Sequence, residues 1–339
     1  MNDTLAIVGT GTIAAVHSLA ARASRLRVLA FGSRDPGAPH PHVAGMGVPI
    51  IASDRLPARA GTVIVATPPF RHMDDAVNML ERGAAVIVEK PFTITLAQAD
   101  RLVDVGGARV GYAENLVFAP ILAAVHARVA QLGALTHLEV RALQDRPAWG
   151  AFTTDAWGGG VLFDLGVHPL AVAMMLAAPA VVTSVRCTLR GWNGNGARHD
   201  SDEHAEVELT FSSGLRAVVI ASWQASSPLW DVQASSAIAV VRAEIRPEPM
   251  LEVNGDRHEV PRARQEPTIL EDLGYNAQLR SMLGDFDAGV APLSDALFGR
   301  AVLDITCACY ASAGSSGASV AVPFAGPRDR TPLQLWRGI

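Results

Sequence analysis

Lys90 is the only lysine in a chain of 339 residues; the 28 Lys and Arg residues therefore include 27 arginines (28 − 1). A guanidinium stays protonated at any usable pH, whereas a half-buried amine can be tuned and can hand a proton across. The amine sits in Val86-Ile87-Val88-Glu89-Lys90-Pro91, directly after an apolar run that reads as a buried strand. Open α/β sheets bind their ligands beyond the carboxyl ends of such strands. A second pair suited to moving protons is Asp164 and His168, four apart in an apolar stretch after Gly158-Gly159-Gly160. On a helix this spacing sets a carboxylate beside an imidazole on one face. An imidazole titrates near neutrality, and a neighbouring carboxylate raises its pKa and orients it. The same pair also fits a satisfied hydrogen bond in a core, and one surviving lysine also fits an arginine-biased composition.

Gly9-Thr10-Gly11-Thr12-Ile13-Ala14 is a GxGxxA pattern lying between an apolar run and a helical one. The first glycine permits the tight turn, the second lets the backbone approach a pyrophosphate, and the small Ala14 allows close packing of helix on strand. The helix N-terminus then faces the anion. Dinucleotide binding is expected on these grounds, against the alternative of an ordinary glycine-rich βα turn. Cofactor choice is read at the end of the second strand, Phe31-Gly32-Ser33-Arg34. A hydroxyl and a guanidinium there suit a 2′-phosphate, which a carboxylate would repel. The expectation is NADP before NAD, although Asp35 could bind a ribose hydroxyl if the register shifted by one.

Elements able to position these groups alternate through the first third of the chain. Leu5–Val8, Leu26–Phe31, Thr62–Ala66, Ala84–Val88 and Arg109–Tyr112 read as strands, and Ile13–Ala23, His72–Arg82 and Leu96–Val105 as helices. That alternation predicts a doubly wound parallel sheet. After a boundary near Ala113–Pro120 the spacing changes. Pro120–Gln131 reads as a helix, Thr136–Leu143 as a strand, and one long helix is expected from near Gly160. Strands dominate from Val181: Thr183–Arg190, then Ala205–Phe211 and Leu215–Trp223 joined by the turn Ser212-Ser213-Gly214, with a second turn at Asn254-Gly255. Helices return at Leu270–Asp287 and Ser294–Ala313. An α+β domain with an antiparallel sheet is therefore expected after the α/β one. The Gly- and Pro-rich segment from Ser315 is expected to pack back on the body.

Composition narrows the function classes. An apolar content of 49% with 18% charged residues suits an enzyme with substantial cores. The net charge of −5 comes without any basic stripe, so nucleic acid and anionic membrane are not expected partners. Apolar stretches such as Leu170 to Val182 are broken by Pro and too short to cross a bilayer. No charged leader with an apolar core precedes the first strand. Cys187, Cys307 and Cys309 have no disulfide or zinc spacing and read as buried small hydrophobes in a reducing cytoplasm. No His cluster has metal-ligand spacing, so no metal is expected. His17 reads as a helix-packing residue, His126, His137 and His258 as surface groups, and the loop Trp192–His204 as near a pocket or simply solvated.

The glycine turn, the tripeptide Glu89-Lys90-Pro91 and the segment Gly158-Gly159-Gly160…Asp164…His168 occur in the order seen in the Gfo/Idh/MocA oxidoreductase family. That family is named for glucose–fructose oxidoreductase, inositol dehydrogenase and a rhizopine-catabolism protein. Thr67-Pro68-Pro69 with His72, and the closing Thr331-Pro332-Leu333-Gln334-Leu335-Trp336, also resemble it. The resemblance covers nearly the whole chain. It implies a Rossmann domain over residues 1–117, a substrate-binding and oligomerisation domain with a large, mostly antiparallel open sheet over 118–314, and a tail over 315–339. It implies hydride transfer between a nicotinamide cofactor and a hydroxyl or keto carbon of a sugar, cyclitol or related substrate. Lys90, Asp164 and His168 fall on the family's catalytic positions. His168 would move the hydroxyl proton, Lys90 would polarise the oxygen and touch the cofactor, and Asp164 would orient and tune them. Gly9, Gly11, Thr12, Ile13, Ser33, Arg34, Thr67, Pro68, His72, Glu89, Lys90, Asn115 and Trp157 fall where cofactor contacts are expected. The chain departs from the family at Leu116-Val117-Phe118, where many members carry Arg-Phe, which puts that arginine's substrate contacts in doubt. Homodimers or homotetramers are expected. A redox-neutral glycoside-cleaving enzyme is the competing function, since the family includes such members, and intact Lys90, Asp164 and His168 argue against a cofactor-binding protein without catalysis.

Overall fold

Leu5–Val8, Val63–Val65 and Val86–Val88 are buried on both faces. Such continuous apolar runs form parallel strands covered by helices on each side. In the computed structural model, which describes residues 3–57, 61–148, 150–191, 201–260 and 268–339, they are the centre of a parallel sheet. The chain runs β1 (Thr4–Val8), α1 (Thr12–Ala23), β2 (Arg27–Ser33), β3 (Ile50–Ala52), β4 (Thr62–Val65), α2 (His72–Glu81), β5 (Ala85–Glu89), α3 (Leu96–Gly106) and β6 (Val110–Ala113). The six strands lie in the order β3-β2-β1-β4-β5-β6. The order reverses between β1 and β4, so the crevice beyond their carboxyl ends is the expected ligand site. Edge strand β3 is too short to show period in the sequence. By contact, a first unit comprises Met1–Thr93, Ala97–Asn115 and Thr268–Arg300. Its last segment brings two helices to this sheet that the sequence reads as one. They are separated at Leu273-Gly274, where Gly274 adopts φ +85°.

The second unit comprises Ile94–Leu96, Leu116–Pro267 and Ala301–Ile339. It contains α4 (Pro120–Val129), β7 (Leu135–Asp145), α5 (Val161–Asp164), α6 (Val167–Ala177), β8 (Val182–Arg190), β9 (His204–Phe211), β10 (Arg216–Ser222), β11 (Gln224–Ser236), β12 (Val240–Arg246), β13 (Met250–Val253) and β14 (Asp256–His258). The helix pair of the first unit follows as α7 (Ile269–Asp272) and α8 (Tyr275–Ala288), then α9 (Ala296–Gly314), β15 (Val320–Ala321) and α10 (Pro332–Arg337). The second sheet has nine strands among the described residues, in the order β14-β13-β12-β11-β7-β10-β9-β8-β15. Every pairing in it is antiparallel except β7 with β10. Both expected turns are present: β9 and β10 form a hairpin with Gly214 at φ +87°, and Asn254 and Gly255 adopt φ +54° and +90° between β13 and β14. Inward residues alternate with exposed ones, as along β9, and α6 packs against β7 and β10. The outward face carries Glu139, Arg141, Asp231, Arg242 and Glu244 around a shallow cleft. In the tail, β15 pairs with β8, and α10 starts at a capping box of Thr331 and Gln334.

The sequence predicts one helix through Asp164 and His168, and the structure divides it. α5 ends at Asp164 and α6 begins at Val167. Pro169 is the cause: it has no N–H to donate to the Leu165 carbonyl, and its ring collides with a carbonyl four residues back in a continuous helix. It is accommodated instead in the first turn of α6. A second departure concerns α9. Its 19 residues are long and apolar enough to cross a membrane by length and composition, which the apolar stretches of the sequence were not expected to be, and two thirds of it is buried within the fold. The three cysteines are free and buried, consistent with small hydrophobes. Of the loop Trp192–His204, residues 192–200 lie outside the described residues.

Candidate active site

The glycine turn closes β1 and opens α1. Gly9 adopts φ +119°, and a Cβ there would stand 2.4 Å from the carbonyl oxygen of Ala66. Glycine is therefore fixed at position 9 by the fold itself. Gly11 is different. It caps α1 at an ordinary φ of −82° with no side-chain cap, and no atom lies within 4 Å of where its Cβ would be. The uncapped N–H groups of Thr12, Ile13 and their neighbours thus border open space, which fits a diphosphate. At the end of β2, the Ser33 hydroxyl accepts the Asp35 N–H at 3.1 Å, and the Asp35 carboxylate accepts the Gly37 N–H at 3.1 Å. Arg34 is exposed beside them.

Lys90 directly follows β5 and is half-buried. Glu89, beneath it, is 3% exposed and turns both carboxylate oxygens inward. Oε1 lies 2.6 Å from His17 Nε2, and Oε2 accepts the Lys90 main-chain N–H at 2.9 Å. Burial alone would raise the Glu89 pKa. The hydrogen bond from His17 and the charges of His17, Lys90 and His72 outweigh it and hold the carboxyl below its ordinary value. His72 bridges two loops: its Nδ1 is 2.9 Å from the Pro91 carbonyl and its Nε2 is 2.8 Å from the Thr67 carbonyl. Burial pushes its pKa down, against those carbonyls and Glu89. Thr67 donates to Asp75 at 2.9 Å, which fixes the loop that contains Pro68. Asn115 is buried and donates to the Leu273 carbonyl at 2.7 Å, at the break between α7 and α8.

Asp164 and His168 belong to the second unit, and both are buried. Their segment is held by a residue that the sequence does not single out. Asp202 is fully buried; its Oδ2 accepts the Leu162 N–H at 2.8 Å, its Oδ1 accepts the Tyr310 hydroxyl at 2.7 Å, and its carbonyl accepts the Val161 N–H at 2.9 Å. The Tyr310 oxygen in turn accepts the Gly160 N–H at 3.1 Å. A Cβ on Gly160 would stand 2.3 Å from the Asp202 carbonyl oxygen. The glycines therefore let α5 start against a buried carboxylate, whose pKa burial raises despite these donors. The His168 ring lies 5.6 Å from the ring of Trp230, and Arg246 covers Trp230 at 5.4 Å. Trp157 is half-buried and packs edge-on against Phe152 at 4.9 Å. Among the described residues, no group of three or more His, Cys, Asp or Glu is placed to hold a metal ion.

Both halves of the chain match one family. Residues 4–107 match its N-terminal part, described as an oxidoreductase family with an NAD-binding Rossmann fold, and residues 123–257 match the GFO/IDH/MocA C-terminal domain. The chain belongs to the Gfo/Idh/MocA oxidoreductase family. Among its relatives, the rhizopine catabolism protein MocA of Rhizobium meliloti is 30% identical over 174 residues, covering 48% of this chain and 54% of that one. The D-glucoside 3-dehydrogenase of Escherichia coli K12 is 33% identical over 135 residues, covering 37% and 38%. The aligned region thus spans about half the length of the first and less of the second. The structure of a levoglucosan dehydrogenase in complex with NADH and L-sorbose superposes with a TM-score of 0.82 at 19% identity, covering 94% of this chain and 98% of that one, which establishes the shared fold. The uncapped turn at Gly11 lies within residues 4–107, the part matched as an NAD-binding Rossmann fold. His17, read from the sequence as packing, is fully buried against Tyr275 and is also hydrogen-bonded to Glu89. No local signal could have found that pairing, because the two residues lie 72 apart in the chain.

Proposed function

We propose that this protein oxidises or reduces a CH–OH carbon on a sugar, cyclitol or related polyol, using NADP(H) in preference to NAD(H). The observation that carries the proposal is the placement of the sole lysine, Lys90, at the carboxyl end of β5 in the same unit as the uncapped glycine turn. A bound nicotinamide supplies or accepts the hydride. Gly9 to Ile13 would hold the diphosphate, and the segments at Thr67–Pro68 and Asn115 would line its path. Lys90 donates a hydrogen bond to the reacting oxygen and stabilises charge that develops there. His168 takes the hydroxyl proton during oxidation and returns it during reduction, with Asp164 orienting it. The levoglucosan and glucoside enzymes support a sugar-like substrate by kinship. The redox-neutral alternative gains no specific support from these relatives.

The preference for NADP is supported by the loop after β2. Asp35 turns its carboxylate into its own turn at Gly37, and Arg34 stands exposed. The test is a panel of polyols and sugars with each cofactor, followed at the nicotinamide absorbance band. Net turnover with a polyol is expected, and cofactor reduction with none of the panel would refute the reading. Arg34→Ala should weaken NADPH binding by about tenfold or more, the worth of one charge-assisted contact, and NADH binding far less. Equal losses would remove the 2′-phosphate assignment.

A further inference from the structure

We infer that Glu89 and His17 form a positioning pair that sets the main chain at Lys90 and ties it to the helix of the glycine turn. The inference rests on the proposed role of Lys90. Glu89 ends β5, where Val86, Ile87 and Val88 are all buried, and a fourth apolar residue would be the undemanding choice there. A carboxylate and an imidazole occur instead, the first 3% exposed and the second 0%. A buried polar pair of this kind is seldom more stabilising than apolar packing of the same volume, so its presence points to specificity rather than to stability. What it specifies can be read atom by atom. One carboxylate oxygen holds the Lys90 N–H, and the other meets His17 Nε2. His17 is the sixth residue of α1, the helix whose uncapped N-terminus borders the diphosphate space. Tyr275 of α8 stands edge-on to the His17 ring at 5.7 Å and limits its rotation. Cofactor turn and lysine are thus joined through one helix and two side chains, with no flexible segment between them.

The charge has a second consequence. The groups that act on Glu89 from the surrounding elements are His17 of α1, His72 of α2 and the adjacent Lys90; Tyr112 of β6, Glu114 just after it and Tyr275 of α8 complete the buried set. A carboxylate held in its ionised form beside Lys90 favours the ammonium form of that lysine.

Because Lys90 is the only lysine, its amine can be read directly in the free protein. The experiment is acetylation of Lys90 by acetic anhydride across pH 7 to 10, followed by peptide mass spectrometry, in the parent and in Glu89→Gln, Glu89→Ala and His17→Gln. NADPH binding by fluorescence is measured on the same samples, and Lys90→Arg is assayed for turnover in parallel. Glu89→Gln keeps an acceptor for the Lys90 N–H but removes the charge, so acetylation at pH 8 should rise by about three- to tenfold. Glu89→Ala also removes the acceptor and should exceed it, and His17→Gln should fall between the parent and Glu89→Gln. NADPH affinity should fall most in Glu89→Ala, because the pair ties Lys90 to the helix of the glycine turn. Should Glu89→Ala not fold, the near-isosteric Gln variants make the same comparison. Folded Gln variants with the parent's acetylation profile would overturn the positioning pair. Wild-type turnover in Lys90→Arg would overturn the role of Lys90 instead, whatever the Glu89 variants do.

Discussion

Glu89 in the first unit and Asp202 in the second are both buried carboxylates, and each fixes the segment that carries a proposed catalytic group. Their surroundings drive them in opposite directions. Glu89 is met by His17 and lies near Lys90 and His72, and the hydrogen bond from His17 with the positive charge nearby holds its pKa below the ordinary value despite burial. Asp202 is met by neutral donors, the Leu162 N–H and the Tyr310 hydroxyl, and burial keeps its pKa raised. Neutral donors thus anchor a backbone without adding cationic charge, as the α5 start requires. A carboxylate held in its ionised form anchors a backbone and also sets the charge state beside it, which is useful only where a titratable group such as Lys90 follows. One anchor is mechanical, whereas the other is both mechanical and electrostatic.

The largest expected effect tests the mechanical anchor. Asp202→Ala orphans the Leu162 N–H and the Tyr310 hydroxyl, each at about 1–3 kcal/mol, so denaturant unfolding should show a loss of about 3–5 kcal/mol. A loss below about 1 kcal/mol would mean that water or a rearranged Tyr310 replaces the carboxylate. The next effect is smaller and lies in the pH dependence. A carboxyl held below its ordinary value of 4.5 contributes stability above that pH and loses it as the pH falls through the folded value. Glu89→Gln should therefore cost more stability at pH 7 than near pH 3.5. A carboxyl raised above 3.8 does the reverse: its contribution is greatest below 3.8 and is lost as the pH rises through the folded value. Asp202→Asn should cost less at pH 7 than at pH 3.5. Urea melts of both variants across that range decide it, and parallel slopes would erase the contrast between the two anchors.

Much of this arrangement is legible along the sequence, and the rest is tertiary. Buried parallel strands announce themselves as apolar runs, so β1, β4 and β5 were readable, as were the turns at Gly214 and Asn254-Gly255. The break between α5 and α6 was also readable, since Pro169 forbids a continuous helix, but periodicity and the spacing of Asp164 and His168 obscured it. The parallel pairing of β7 with β10 was not, because strand direction is fixed by connections and not by composition. Neither anchor was legible. Glu89 finds His17 across 72 residues and Asp202 finds Leu162 across 40, and nothing in either local pattern names the partner. Among the proposed site residues, Gly9, Gly11 and Lys90 could be seen because their constraints are local: a turn, an open N-terminus, a strand end.

The smallest expected effect on stability separates what the fold needs from what a ligand needs. Gly9, Gly11 and Gly160 each belong to a proposed functional segment, yet only Gly9 and Gly160 are crowded by backbone. Alanine at either must push a carbonyl oxygen aside, and at Gly9 it must also adopt a backbone conformation that L residues rarely take. Gly11→Ala meets nothing within 4 Å and has an ordinary φ, so unfolding free energy should change by less than about 0.5 kcal/mol. The added methyl nevertheless stands in the open space beside the first turn of α1, where a pyrophosphate must approach the backbone closely. Dinucleotide binding should therefore weaken by about tenfold or more in a protein of unchanged melting temperature. Unchanged NADH and NADPH affinity in this variant would mean that the diphosphate does not lie against α1. The electrostatic anchor would then be linked to a helix that holds no cofactor.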